Sequence, residues 1–271
     1  MSSETIRAFS AAPVAAAPAT PATTILKPAA AWPFPARADH NLFVTVPETT
    51  LPNGMVVPAF QVGQYHCSKG SDGQVAINAT AKPWVEINYA EARQACADAG
   101  YSLLTELQAL AIAHNIAQQA ANWSGGAVGE GTLMQGLHLD PDNVDEAYAG
   151  DYVPADPSER RVFTLSNGQT IIDAAGNVYS WIFDDVQGDE NGLVARAFAA
   201  DSPSITSAPF PSMQRGVGWY PKAGSDWSGY ALVRGGYWCS DSRAGVFVLY
   251  GDWPDDADDY VGFRCTKPVG L

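Results

Sequence analysis

Positive charge is scarce in this chain. Fifteen Lys and Arg stand against 29 Asp and Glu, a formal net charge of −14 over 271 residues. Nucleic acids and anionic membranes need clustered cations to neutralise their phosphates, so neither is an expected partner. Long apolar runs are missing too, and nothing approaches the roughly 20 residues of a bilayer-spanning helix. Cysteine is sparse: positions 67, 96, 239 and 265 show no Cys-x-x-Cys pair and no metal-ligand spacing. Arg7 is followed by no unbroken apolar run, because Pro13, Pro18 and Pro21 interrupt the alanines, so no Sec-type signal peptide is expected. No internal repeat is visible. What remains is an ordinary apolar content of 46%, enough for a core, with 25 Gly and eight Trp that suit a loop-rich fold pinned by aromatics.

Three zones follow. Residues 1–36 are Ala- and Pro-rich and read as a disordered tail or linker, or as a tether that docks on a larger assembly. Residues 37–80 read as a short β lead-in packed on the main domain, with strand candidates at Leu42–Val46, Met55–Val57, Phe60–His66 and Val75–Ile77. Leu51-Pro-Asn-Gly54 and Ser71-Asp-Gly73 are turns between them. The main domain spans 81–271. It opens with a helix from Asn88, a capping residue, to Gly100, which suits the left-handed position after a helix. Thr105-Glu-Leu-Gln108 is a capping box opening a second helix to about Ala121, with Leu107, Leu110, Ala111 and Ile116 as its stripe. His114 sits there without a second ligand at helical spacing and is expected to be structural. Periodicity then fades until Arg161 amid Asp140, Asp142, Asp145 and Glu146. Thr164–Ile172 is a hairpin around Asn167-Gly168, and Asp173–Phe183 a turn followed by a strand. The loop Asp184-Asp-Val-Gln-Gly-Asp-Glu-Asn191 holds oxygen donors at Asp184, Asp185, Asp189 and Glu190. It is either a solvated acidic loop or a structural calcium site, and it lacks EF-hand spacing.

The segment 232–265 differs from all of this. Arg234-Gly-Gly precedes and Val261-Gly-Phe-Arg-Cys265 follows a mixture of Tyr, Trp, Ser, Asp, Cys and Arg with almost no helical or strand period. That mixture is binding chemistry: tyrosine offers rigid contact area at low entropy cost, and Ser and Asp offer adaptable hydrogen bonds. Trp238, Phe247 and Phe263 are the natural inward anchors. The same tyrosines could instead be packing aromatics, and Asp252, Asp255, Asp256, Asp258 and Asp259 a solvated turn.

Three pieces together resemble one lineage. Leu103-Leu-Thr-Glu106 after the first helix, Gly176-Asn-Val-Tyr-Ser-Trp181, and the pair Arg234-Gly-Gly-Tyr-Trp238 and Gly262-Phe-Arg264 resemble formylglycine-generating-enzyme-like C-type lectin domains. The resemblance implies an α+β C-type lectin fold of small twisted antiparallel sheets, two flanking helices and long loops. Within that group, the oxidases use a close cysteine pair that binds Cu(I); here Cys239 has no partner before Cys265. The other relatives are variable proteins of diversity-generating retroelements, which include the phage major tropism determinant. Their variable region, here about 234–265, is randomised at template adenines. Tyr237, Cys239, Ser240, Asp241, Arg243, Val248, Tyr250, Asp252, Asp259 and Tyr260 fit that substitution set. Trp253 joins the candidate face although no such codon yields it. The resemblance implies no catalysis and no cofactor; the structural calcium remains a reading of the acidic loop's oxygen donors alone. It implies a protein or glycan target on a cell surface, and a setting in a phage tail or on a bacterial surface, reached through the N-terminal tail. It also implies a bridge between Cys96 and Cys265, in the first helix and last strand; two buried free thiols are the alternative.

Overall fold

The computed structural model describes residues 42–139, 153–154 and 156–270. The expected tail 1–36 and Asp140, Asp142, Asp145 and Glu146 lie outside them. In chain order the first strands are β1 (Phe43–Val46), β2 (Thr49–Thr50), β3 (Val56–Val57), β4 (Phe60–Gly63), β5 (Ser68–Lys69) and β6 (Val75–Ala76). Then come α1 (Tyr89–Asp98), β7 (Ser102–Leu103) and α2 (Glu106–Ala117). The remainder is β8 (Val162–Thr164), β9 (Thr170–Ile172), β10 (Tyr179–Ile182), the one-turn helix α3 (Pro203–Thr206), β11 (Ala231–Arg234), β12 (Leu249–Asp252), β13 (Val261–Gly262) and β14 (Cys265–Pro268).

The helices begin where their capping residues dictate. Asn88 accepts the Glu91 N–H at 2.9 Å while Glu91 accepts the Asn88 N–H at 3.1 Å, closing a full capping box on α1. Thr105 and Gln108 do the same for α2, at 3.3 and 3.1 Å. α2 ends at Ala117, short of the expected Ala121, because two side chains take its last carbonyls. Asn122 Nδ2 donates to Ile116 O and Trp123 Nε1 to Ala117 O, both at 2.8 Å, while Ala120–Asn122 turn as a 3₁₀ helix. His114 lies half-buried near that end, its pKa lowered by burial.

Two four-stranded sheets organise the rest. One runs β1-β4-β14-β7, antiparallel throughout. The other runs β12-β11-β10-β13 and is mixed: β13 lies parallel to β10, a departure from the all-antiparallel expectation. The loop 253–260 causes it, carrying the chain back past the sheet so that β13 re-enters in the direction of β10. Gly262-Phe-Arg264 then steps from this sheet to β14 in the other. The architecture is α+β with the C-type lectin fold. Leu110, Ile116, Phe163, Leu232 and Phe247 meet in the main core, each under 3% exposed. Burying each such side chain contributes roughly 1.5–3 kcal/mol.

Buried charges close the β8–β9 hairpin and brace it against β4. Arg161 donates to both carboxylate oxygens of Asp173, at 2.6 and 2.5 Å, and Asn177 adds a bond to Asp173 Oδ2 at 3.0 Å. Arg264 donates to the carbonyls of Gly63 at 3.0 Å, Asp173 at 2.8 Å and Ile172, and contacts His66 Nδ1 at 3.2 Å. Burial lowers the Arg264 pKa to about 10 and holds His66 well below its usual range, with the Arg264 charge adding to the latter.

The expected Cys96–Cys265 bridge is not formed. Both cysteines are free, with their sulfurs 2.8 Å apart against about 2.05 Å for a bond. A third buried thiol, Cys67, lies 3.4 Å from Cys265 on another side.

Candidate binding face

The face is built outward from β11. Its last residue, Arg234, is buried and donates through Nε to Glu106 Oε2 at 2.7 Å and through Nη2 to Glu106 Oε1. Glu106 is fully buried in the first turn of α2, so this charge pair locks the helix to the strand. Arg234 Nη1 also donates to the carbonyls of Phe247 and Val248, both at 3.2 Å, which fixes where the segment returns. Gly235 and Gly236 follow with φ of +97° and +86°, a region that side-chain-bearing residues avoid, and they swing the chain over the sheet.

Ser240 then closes a turn by accepting the Tyr237 N–H at 2.8 Å. Ser240 is 1% exposed and Val248, between Phe247 and β12, is also 1% exposed. Both were expected on the binding face, and both belong to the scaffold instead. Ser240 spends its hydroxyl on the turn, and Val248 packs over Gly218 while its carbonyl is held by Arg234. Trp238, Phe247 and Phe263 are buried, as their anchoring role requires. Tyr237, Cys239, Tyr250, Asp252 and Tyr260 are half-buried, while Asp241, Arg243 and Asp259 are exposed. Trp253 is 56% exposed yet packs its ring, tilted, against Tyr230 at 4.4 Å between ring centres.

The aromatic surface reaches beyond that segment. Trp219 is zipped to it through Trp219 N–H to Arg243 O and Leu249 N–H to Trp219 O, each 2.9 Å. Its ring lies 4.5 Å from Tyr250 and 6.2 Å from Trp227. On the other side Tyr179 of β10 stacks on Tyr237 at 5.5 Å and lies 6.4 Å from Tyr250. Burial pushes the Tyr179 hydroxyl up to about 12. Tyr260 sits 4.9 Å from Tyr237, its pKa raised by burial and by the Asp258 carboxylate. Beside it the carboxylate oxygens of Asp252, Asp256 and Asp258 lie within 4.8 Å of one another. Burial raises the Asp252 pKa, and the charges of Asp258 and Asp256 raise it further. Tyr179 was not anticipated; its place in Gly176-Asn-Val-Tyr-Ser-Trp181 marked it only as a strand residue.

The acidic loop takes a different course. Asp184 is buried and accepts the Val186 and Gln187 N–H groups through Oδ1, each at 3.0 Å; its Oδ2 has no hydrogen-bond partner among the described residues, and burial raises its pKa. Asp185 accepts Leu107 N–H at 2.9 Å at the start of α2. Asp189 accepts from Asn191 and Leu193, and Glu190 is exposed. Among the described residues, the converging carboxylate trio is the one at 252, 256 and 258 rather than this loop.

Cys239 packs against Leu137, Val178 and Trp238. Among the described residues it contacts no other thiol, since the remaining three gather at Cys265. The two-thiolate donor set that Cu(I) favours is therefore not supplied here.

The sequence profile of the sulfatase-modifying factor enzyme 1-like domain matches residues 43–269. The chain belongs to that family. The match reaches back to β1, whose sheet the strands β14 and β7 of the main domain complete. No curated protein matches the sequence. Among solved structures, PvdO from Pseudomonas aeruginosa is similar at 15% identity and a TM-score of 0.41, over 84% of this chain and 94% of that one. Treponema denticola variable protein 1 aligns at 16% identity and 0.40, over 83% and 94%. The P3c variant of Major Tropism Determinant aligns at 15% and 0.41, over 86% of this chain and 54% of its own, so this chain spans about half of that protein. No described helix of this family member is long and apolar enough to cross a membrane.

Proposed function

We propose that this family member is a non-catalytic binding protein whose 237–260 face recognises a protein or glycan on a cell surface. We further propose that a retroelement diversifies that face and that the protein works in a phage tail or a bacterial surface assembly. One observation carries the binding reading: the sorting of residues within the segment. Glu106–Arg234, Trp238, Phe247, Phe263 and Arg264 are buried struts, while Tyr237, Cys239, Asp241, Arg243, Tyr250, Asp252, Trp253, Asp259 and Tyr260 reach solvent. A surface that must accept changing side chains needs its geometry specified by residues beneath it, and that is the arrangement here. The lone Cys239 supports a role without oxidase chemistry, and the face itself needs no cofactor.

The test is paired. Tyr237→Ala with Tyr250→Ala should abolish binding to isolated bacterial surface material while lowering the melting temperature only slightly; a collapse in stability would instead make these rings core. Diversification is read in DNA, as a near-copy of the 232–265 coding segment beside a reverse transcriptase gene, differing at adenines. Lack of that copy would overturn the retroelement part alone.

A further inference from the structure

Resting on the reading of 237–260 as a binding face, we infer that its partner is a cationic protein segment, with Arg or Lys side chains laid along one aromatic row that ends in acid. Six rings form the row in the order Trp227, Trp219, Tyr250, Tyr179, Tyr237, Tyr260. Their centres are separated in turn by 6.2, 4.5, 6.4, 5.5 and 4.9 Å. Trp227, Trp219 and Tyr179 come from outside the 234–265 segment and are interspersed with its tyrosines. Tyr179 is a buried floor and the other five are half-exposed. Whatever the segment's own side chains, part of this face is thus always aromatic.

A guanidinium or ammonium group over such rings gains from the ring quadrupole, more so as it leaves water. The acid end selects the same ligand. Asp252, Asp256 and Asp258 crowd their carboxylates beside Tyr260, and among the described residues none of them makes an ion pair within the chain. Their mutual repulsion is relieved by a cation arriving from outside. A hard metal ion could relieve it as well, but such an ion takes oxygen ligands and makes no use of the rings. A neutral saccharide would use the rings and leave the charge unanswered. Both parts are satisfied together by a chain carrying Arg or Lys, and the net charge of −14 favours its approach.

The experiment uses the full chain and three labelled probes: an alternating Arg-Gly peptide, its Glu-Gly counterpart and a neutral glucan oligosaccharide. The Arg-Gly peptide should bind, more weakly as salt rises. Trp219→Ala should cost about tenfold in its affinity, and Trp219→Phe, which keeps a ring and controls for folding, should recover most of it. Asp256→Asn with Asp258→Asn should weaken binding and flatten its salt dependence. Preference for the oligosaccharide, equal binding of the Glu-Gly peptide, or indifference to Trp219→Ala would overturn the inference. If Tyr237→Ala with Tyr250→Ala still abolishes binding to surface material in that case, only the partner chemistry falls. If neither surface material nor any probe depends on those tyrosines, the binding face itself falls.

Discussion

The two four-stranded sheets share a core but use their residues differently. In the β1-β4-β14-β7 sheet the neighbouring polar groups turn inward, with Arg264 spending its guanidinium on three carbonyls and Thr266 only 1% exposed. In the β12-β11-β10-β13 sheet the same kind of strut, Arg234, sits directly below a surface of half-exposed rings and carboxylates. In the second sheet the chain leaves the layer at Gly235 and again through 253–260, and both excursions carry the candidate face. The comparison teaches that a variable-looking segment is not uniformly replaceable. Tolerance is set position by position, by whether the side chain points at the strut or away from it.

The largest effect should come from breaking the strut. Glu106→Gln leaves a buried Arg234 without its counter-charge, and we expect a loss of about 3–5 kcal/mol in urea unfolding. A small loss would mean that α2 and β11 are held together by packing alone. Next comes a position inside the segment: Val248→Asn introduces an amide where the native side chain is 1% exposed, at a cost of about 1–3 kcal/mol. Asparagine tolerated there without cost would return Val248 to the surface set. The smallest effect is a pH slope that belongs to the first sheet's side of the molecule. His66 is kept neutral by burial, so below its usual 6.5 the unfolded chain takes up a proton that the folded one refuses. Stability should therefore fall as pH drops through that value, by at most about 1.4 kcal/mol per pH unit from this group. Asp184 and Asp252, whose pKa values are raised, act in the opposite sense at lower pH, since the folded state then holds more protons. The difference between wild type and His66→Gln in thermal unfolding isolates the histidine, and identical slopes would remove it from the account.

Local signals were legible and tertiary ones were not. Asn88, Thr105 and Asn167-Gly168 marked the helix starts and the hairpin because each satisfies its neighbours' backbone groups directly. The end of α2 was misjudged because its carbonyls are taken by side chains lying beyond it in sequence. Glu106 looked like part of a cap; its role depends on an arginine 128 residues away. The run Ala244-Gly-Val-Phe-Val-Leu249 is apolar throughout, and that alone could have moved Val248 from the face to the core. Tyr179 and Trp219 joined the face only through the parallel return of β13 and the pairing of residue 219 with 249, neither of which leaves a mark in local composition.

Three sulfurs around one strand make an odd number, and parity has a consequence. Oxidation joins sulfurs in twos, so a bond at Cys265 always leaves one of Cys67 and Cys96 behind as a thiol. The two possible rings span 198 and 169 residues, and chain entropy separates them by only about 0.1 kcal/mol. Ring size therefore does not choose between them. The choice falls to the approach of each sulfur, and whichever loses stays beside the bond as a buried thiol whose raised pKa keeps it protonated and slow to exchange.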